Sequence, residues 1–114
     1  MSETIFSKII RKEIPASIVY EDDKILAFED INPVAPVHIL FIPKKFLQSL
    51  DSMQEEDAAL IGYIHLKISE YAREKGLDKT GYRVVNNMGE DGGQSVFHIH
   101  FHLLAGRGMK WPPG

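Results

Sequence analysis

His98-Ile99-His100-Phe101-His102-Leu103-Leu104 alternates three imidazoles with large apolar side chains. Successive side chains on a β-strand point to opposite faces, so the run predicts a strand with all three histidines on one side. Ile99, Phe101 and Leu103 then turn to the other side, where a core can take them. The chain holds five histidines, and three fall in this row. One strand face is thus given over to catalysis, to a metal, or to both.

Working outward, Tyr82 to Asn87 reads as a strand and Gly89-Glu90-Asp91-Gly92-Gly93 as a turn, so the two strands make a hairpin. Ser17 to Tyr20 and Lys24 to Glu29 read as two strands turned by Glu21-Asp22-Asp23. Asp30-Ile31-Asn32-Pro33-Val34-Ala35-Pro36 is a proline-punctuated loop, followed by a strand from Val37 to Ile42 that Pro43 terminates. Thr4 caps a short helix with an apolar stripe of Ile5, Phe6, Ile9 and Ile10, ended by Pro15. Ser52 with Glu55 forms a capping box for a long helix, in which Ile61, Ile64, Ile68 and Tyr71 keep helical spacing up to Gly76. The sum is one α+β domain over residues 1–114. It has an antiparallel five-stranded sheet, one short helix, and one long helix on the sheet's apolar face.

Composition narrows the setting. With 44% hydrophobic and 25% charged residues, the 114-residue chain is an ordinary globular domain. A net charge of −3 offers no general attraction for nucleic acid. Zero cysteines exclude disulfides, thiol catalysis and thiolate-bound metal. No apolar run reaches membrane-spanning length, and Met1-Ser2-Glu3 does not open a secretory signal. The expectation is a cytoplasmic protein with no membrane contact.

Alternate strand residues lie roughly 6.6 Å apart, which sets His98 and His102 about 13 Å from each other. A Zn–N bond is only ~2.0–2.1 Å, so three consecutive members of the row share a metal poorly. Zinc would need a ligand from elsewhere, such as His38. No metal and no cofactor is the expectation. Asp91-Gly92-Gly93-Gln94-Ser95, entering the row from a tight turn, points instead to phosphate. Glycines let backbone N–H groups approach an anion, and Ser95 adds a hydroxyl. Gly-Gly-Gln-Ser alone is more often a plain hairpin turn; the histidine row beside it reverses that balance.

These residues resemble the histidine triad (HIT) superfamily, whose signature His-Φ-His-Φ-His-Φ-Φ (Φ apolar) is matched throughout residues 98–104. Ile5 to Pro15, Asp30 to Pro43, Tyr82 to His102 and the closing Trp111-Pro112-Pro113-Gly114 are similar to the histidine triad nucleotide-binding (Hint) branch. The resemblance implies a purine nucleoside phosphoramidase that works on derivatives of a purine nucleoside monophosphate. His100 is then the nucleophile, forming a covalent nucleotidyl-histidine. Imidazole suits that role, since its unperturbed pKa near ~6.5 leaves much of it neutral at pH 7. His102 and the backbone of Gly93, Gln94 and Ser95 would stabilise charge on the phosphate, and Ser95 would assist the departing nitrogen. His98 would order the strand behind the nucleophile. His38, otherwise a plain structural histidine, would back the triad.

The resemblance gives Phe6, Ile9, Ile14 and Phe28 to the base, with Glu29 at the pocket edge. Asp30 and Ile31 go to the ribose, and Asn87 and Phe101 complete the nucleotide contacts. It further implies a homodimer in which the sheet continues across the two-fold axis. The tail, residues 105–114, then reaches the partner subunit, and Trp111 selects the leaving group there. His65 reads as a surface or packing residue. A nucleotide-binding scaffold with vestigial activity, a metal-binding protein, and a dinucleoside polyphosphate hydrolase are the alternatives. His102 favours the phosphoramidase over the last, because glutamine often stands at its position in that sister branch.

Overall fold

Two central strands read as nearly unbroken apolar runs because they are covered on both faces. They are β2 (Ile25–Glu29) and β3 (Val37–Pro43). With β1 (Ile18–Glu21), β4 (Tyr82–Val85) and β5 (Phe101–Ala105) they form one antiparallel sheet ordered β1-β2-β3-β5-β4. This is the computed structural model, and it describes residues 3–114. Met1-Ser2, part of the reading against a secretory signal, lies outside the described residues.

Strand alternation sorts the side chains into two cores. Ile25, Ala27, Ile39, Phe41, Phe101 and Leu103 face Ile64 and Ile68 of the long helix α2 (Ala58–Glu74). Leu26, Phe28, Leu40 and Ile42 face Phe6 and Ile9 of the short helix α1 (Ile5–Ile10). Opposed residues of an antiparallel pair share a face. His38 opposes Leu104 and Leu40 opposes His102, so both imidazoles lie on the α1 side. The fold is the expected α+β sheet with one long and one short helix, and α1 gives the second face its cover. Among the described residues no helix is long and apolar enough to cross a membrane.

Several boundaries differ from the sequence reading. Only Phe101 onward of the histidine row is ladder; before it, the Ile99 N–H donates to Leu47 O at 2.7 Å and draws the chain toward the loop after β3. β4 stops at Val85, opposite His102, so the β4–β5 pair is joined by a wide connection rather than a tight hairpin. α1 keeps its Thr4 cap but ends well before Pro15, because Lys12 adopts the left-handed conformation at φ 64°. Ser52 and Glu55 do not cap α2. The reciprocal cap falls at Gln54 and Asp57, on the single 3-10 turn Glu55–Asp57 that leads into α2; Asp57 Oδ2 accepts the Gln54 N–H at 2.9 Å while Oδ1 meets Lys45 Nζ at 2.5 Å. At the far end Gly76, at φ 75°, stops the helix as read.

Candidate functional site

Four imidazoles line up on the α1 face, and their hydrogen bonds assign each proton. His100 Nδ1–H donates to the carbonyl of His98 at 2.8 Å, so its Nε2 keeps the lone pair. The Val34 N–H donates to His38 Nδ1 at 3.2 Å, which places the His38 proton on Nε2. That proton goes to His102 Nδ1 at 2.9 Å, leaving His102 with a donor at Nε2. His98 Nε2–H donates to Pro43 O at 2.8 Å, with the ring edge-on to Phe6 and Phe46. A lone-pair nitrogen on His100 therefore stands beside a donor-bearing His102, their ring centroids 5.1 Å apart.

Burial keeps all four rings neutral. It pushes His100 below the ordinary imidazole value, against the opposing pull of the His98 carbonyl and Asp30. His102 falls furthest, to about 4, through burial with His100 and His38 close by. Burial likewise lowers His98 and, against Asp30, His38. His98 is almost wholly enclosed and its Nδ1 has no hydrogen-bond partner among the described residues, so an added proton there would be stranded.

His100 and His102 open onto a cavity of about 260 Å³ whose apolar wall is Phe6, Ile9, Ile14, Phe28, Leu40 and Val96. Asp30, Ile31 and Ser95 stand at its rim, with Glu29 beside Asp30. A cavity that is mostly hydrophobic with a few convergent polar groups is the ordinary form of a small-molecule site. Ser95 and Val96 also line a shallower neighbouring cavity with Phe97. A larger groove, about 750 Å³, runs along β4 and the tail and includes Asn86, Asn87 and the exposed Trp111, but no histidine.

Several expected site residues sit elsewhere. The Phe101 side chain is buried in the α2 core, edge-on to His65, because alternation turns it away from its histidine neighbours. Asn87 lies in the β4 groove rather than the cavity. The N–H groups of Gly93 and Gln94 are spent inside the turn, on Glu90 O and Gly89 O at 3.0 Å each. The Gln94 side chain is a brace: it accepts the Gly89 N–H and donates to Gln48 O and Val96 O. Of that stretch only Ser95 reaches the cavity. His65 is exposed and donates to Ile61 O at 2.8 Å on its own helix. Asn86 was not legible as a site residue: its Nδ2 donates to the carbonyl of His100 at 2.9 Å, just past the end of β4. Leu40 and Val96 carried no signal beyond that of core.

Asp30, His38 and His102 bring one ligand atom each within 4.8 Å of one another, the donor set of a three-ligand zinc site. The protons do not fit. A metal-bound histidine donates its other N–H to an acceptor, but the other nitrogen of His38 already accepts the Val34 N–H. Ligation through Nε2 would set two N–H groups against each other. The two histidines are wired instead into a hydrogen-bond chain that starts at the Val34 N–H, with Asp30 Oδ2 3.4 Å from His38 Nε2.

A model of the HIT domain matches residues 11–109. An uncharacterized HIT-like protein of Synechocystis is 56% identical over 112 residues, covering 98% of this chain and 97% of its own length. A protein of Zea mays described as a 14 kDa zinc-binding protein is 55% identical, with 99% of this chain and 89% of that one aligned. A crystal structure of a HIT family hydrolase from Legionella pneumophila superposes with a TM-score of 0.96 at 47% identity, covering 98% of this chain and 100% of that one. A histidine triad protein from Clostridium difficile gives 0.92 at 50%, with 96% and 97% covered.

Proposed function

The chain belongs to the HIT domain family, and from that premise we propose that it is a hydrolase of purine nucleoside 5′-phosphoramidates. The observation that carries the reading is His100 itself: a buried, neutral imidazole whose Nδ1–H is tied to His98 O, with Nε2 left as a nucleophile. The base takes the apolar slot of Phe6, Ile9, Ile14 and Phe28, and the ribose hydroxyls meet Asp30 beside Ile31. His100 Nε2 attacks the α-phosphorus. The P–N bond breaks as the nitrogen takes a proton from solvent relayed through the Ser95 hydroxyl, and the His102 Nε2–H donates to a phosphate oxygen. Water then displaces His100 from phosphorus, its oxygen bonding to phosphorus and its spare proton returning to solvent. Nucleoside monophosphate and free amine result.

The name hydrolase carried by the Legionella neighbour agrees with this reading. The zinc in the Zea mays name has no counterpart in the mechanism, which needs the His38–His102 proton where a cation would sit. The reading includes the homodimer: β4 is an edge strand, and the groove beside it holds the exposed Trp111 that would reach the partner's site. Acid quenching of adenosine phosphoramidate turnover, followed by mass spectrometry, is expected to capture a nucleotidyl adduct on the peptide bearing His100. Its absence in a chain that turns over would overturn the mechanism, and a sedimentation profile of monomers would remove the dimer.

A further inference from the structure

The hydrogen-bond chain that ends on His102 begins outside the cavity. Val34, which sets the His38 proton, sits in the irregular loop between β2 and β3, and its side chain is largely exposed. Nothing in a sheet ladder holds it. The loop is closed at its base by the Asp30 N–H on His38 O at 3.0 Å. At its crown the contact comes from the far end of β5: Arg107 Nε donates to the Val34 carbonyl at 3.0 Å, while its Nη1 donates to Gly108 O at 3.0 Å. The residue before it, Gly106, passes so close that a Cβ there would come within 2.8 Å of Pro36 Cβ. The strand that carries His102 thus ends in the clamp on the loop that sets His102's partner.

We propose that Arg107 is a positioning residue: by holding Val34 in place it fixes the His38 tautomer, and through it keeps the His102 donor aimed at the substrate. An imidazole facing an N–H must present a lone pair, so the Val34 amide, with Asp30 Oδ2 3.4 Å from Nε2 on the other side, selects which His38 nitrogen keeps the proton. Once Val34 moves away, Asp30 alone favours Nε2–H and the Nδ1–H tautomer becomes populated. The Nδ1–H form presents a lone pair to His102 Nδ1, which forces the His102 proton onto Nδ1 and leaves its Nε2 an acceptor. Two lone pairs then meet at the phosphate oxygen. Arg107 touches no reacting atom, and its effect travels through three hydrogen bonds in series. The catalytic arm of this inference rests on the phosphoramidase reading; the tautomer arm does not.

The test compares the full chain with Arg107→Met, which keeps the stem and removes the donors, and Arg107→Lys, which restores one. Long-range proton–nitrogen spectra of labelled histidine at pH 7 should show single Nε2–H tautomers for His38 and His102 in the parent. Both should become mixtures in Arg107→Met and recover in Arg107→Lys. With adenosine phosphoramidate, kcat should fall about fivefold in Arg107→Met, the worth of one ordinary hydrogen bond, with KM and thermal midpoint unchanged. Unchanged ring spectra in Arg107→Met overturn the proposal, as does a fall in kcat matched by a fall in melting temperature. A parent that does not turn over the substrate defeats the phosphoramidase reading alone, and the spectra still decide the role of Arg107.

Discussion

His100 works only as the neutral ring, so the direction of its shift fixes the pH profile. Burial lowers its proton affinity below the ordinary 6.5. The neutral form therefore persists as pH falls past that value, and the burst of amine release should hold level there and decline only in more acidic buffer. Quenched-flow bursts between pH 4.5 and 8 measure this; a decline centred at 6.5 or higher contradicts it. His100→Ala should abolish the burst. Asp30→Asn should weaken ribonucleotides while leaving 2′,3′-dideoxy analogues nearly untouched, a split visible in competitive inhibition constants. The same residues decide the metal. Zinc at micromolar concentration should not stay with the chain through gel filtration, because Val34 holds the wrong proton on His38; one retained equivalent, lost in Asp30→Asn, would contradict this.

At the scale of elements, the turn before the histidine row carries its own prediction. A Cβ on Gly92 would stand 2.3 Å from the Met88 carbonyl oxygen and 2.9 Å from its nitrogen, contacts that only a backbone shift relieves. Gly92→Ala should cost about 1–3 kcal/mol in urea unfolding and displace Ser95, lowering the burst rate more than nucleotide binding. That turn also shows where reading the chain stops. Two glycines suit a phosphate cradle and a tight self-packed turn equally, and the structure gives them to the turn. The α2 cap is similar. Ser52–Glu55 and Gln54–Asp57 both fit a reciprocal cap, and the contact that separates them is Lys45, remote in sequence. The alternation of residues 98–104, by contrast, placed each side chain on its face correctly, since period two survives even where the ladder does not. Extending the site to Phe101 went against that same period. Val34 and Arg107 left no trace: Val34 acts through backbone groups that every residue has, and Arg107 reaches one of them from the far end of the chain.

For the whole molecule, packing four imidazoles into a sheet face ties stability to pH. Their folded values lie below 6.5, with His102 at about 4, whereas the unfolded chain protonates near 6.5. Between those values the unfolded state binds more protons, so stability rises with pH and is lost as pH falls from about 6.5 toward about 4. Each ring contributes a slope of up to about 1.4 kcal/mol per pH unit. The paired carboxylates act lower, because their unfolded values stand at 3.8 to 4.5. Burial alone would raise Asp22, but the hydroxyls of Tyr63 and Tyr20 and two backbone N–H groups hold it far below the usual range. Glu21 is likewise held down by Lys12 and Lys44, so its contribution is present above the unfolded value of 4.5 and is lost below it. The thermal midpoint should therefore drop steadily from pH 6.5 to pH 4.5, and His102→Asn should drop less steeply over the same interval. If parent and variant lose stability in parallel, the acid sensitivity lies outside the site, and the neutral hydrogen-bond chain assigned to it is wrong.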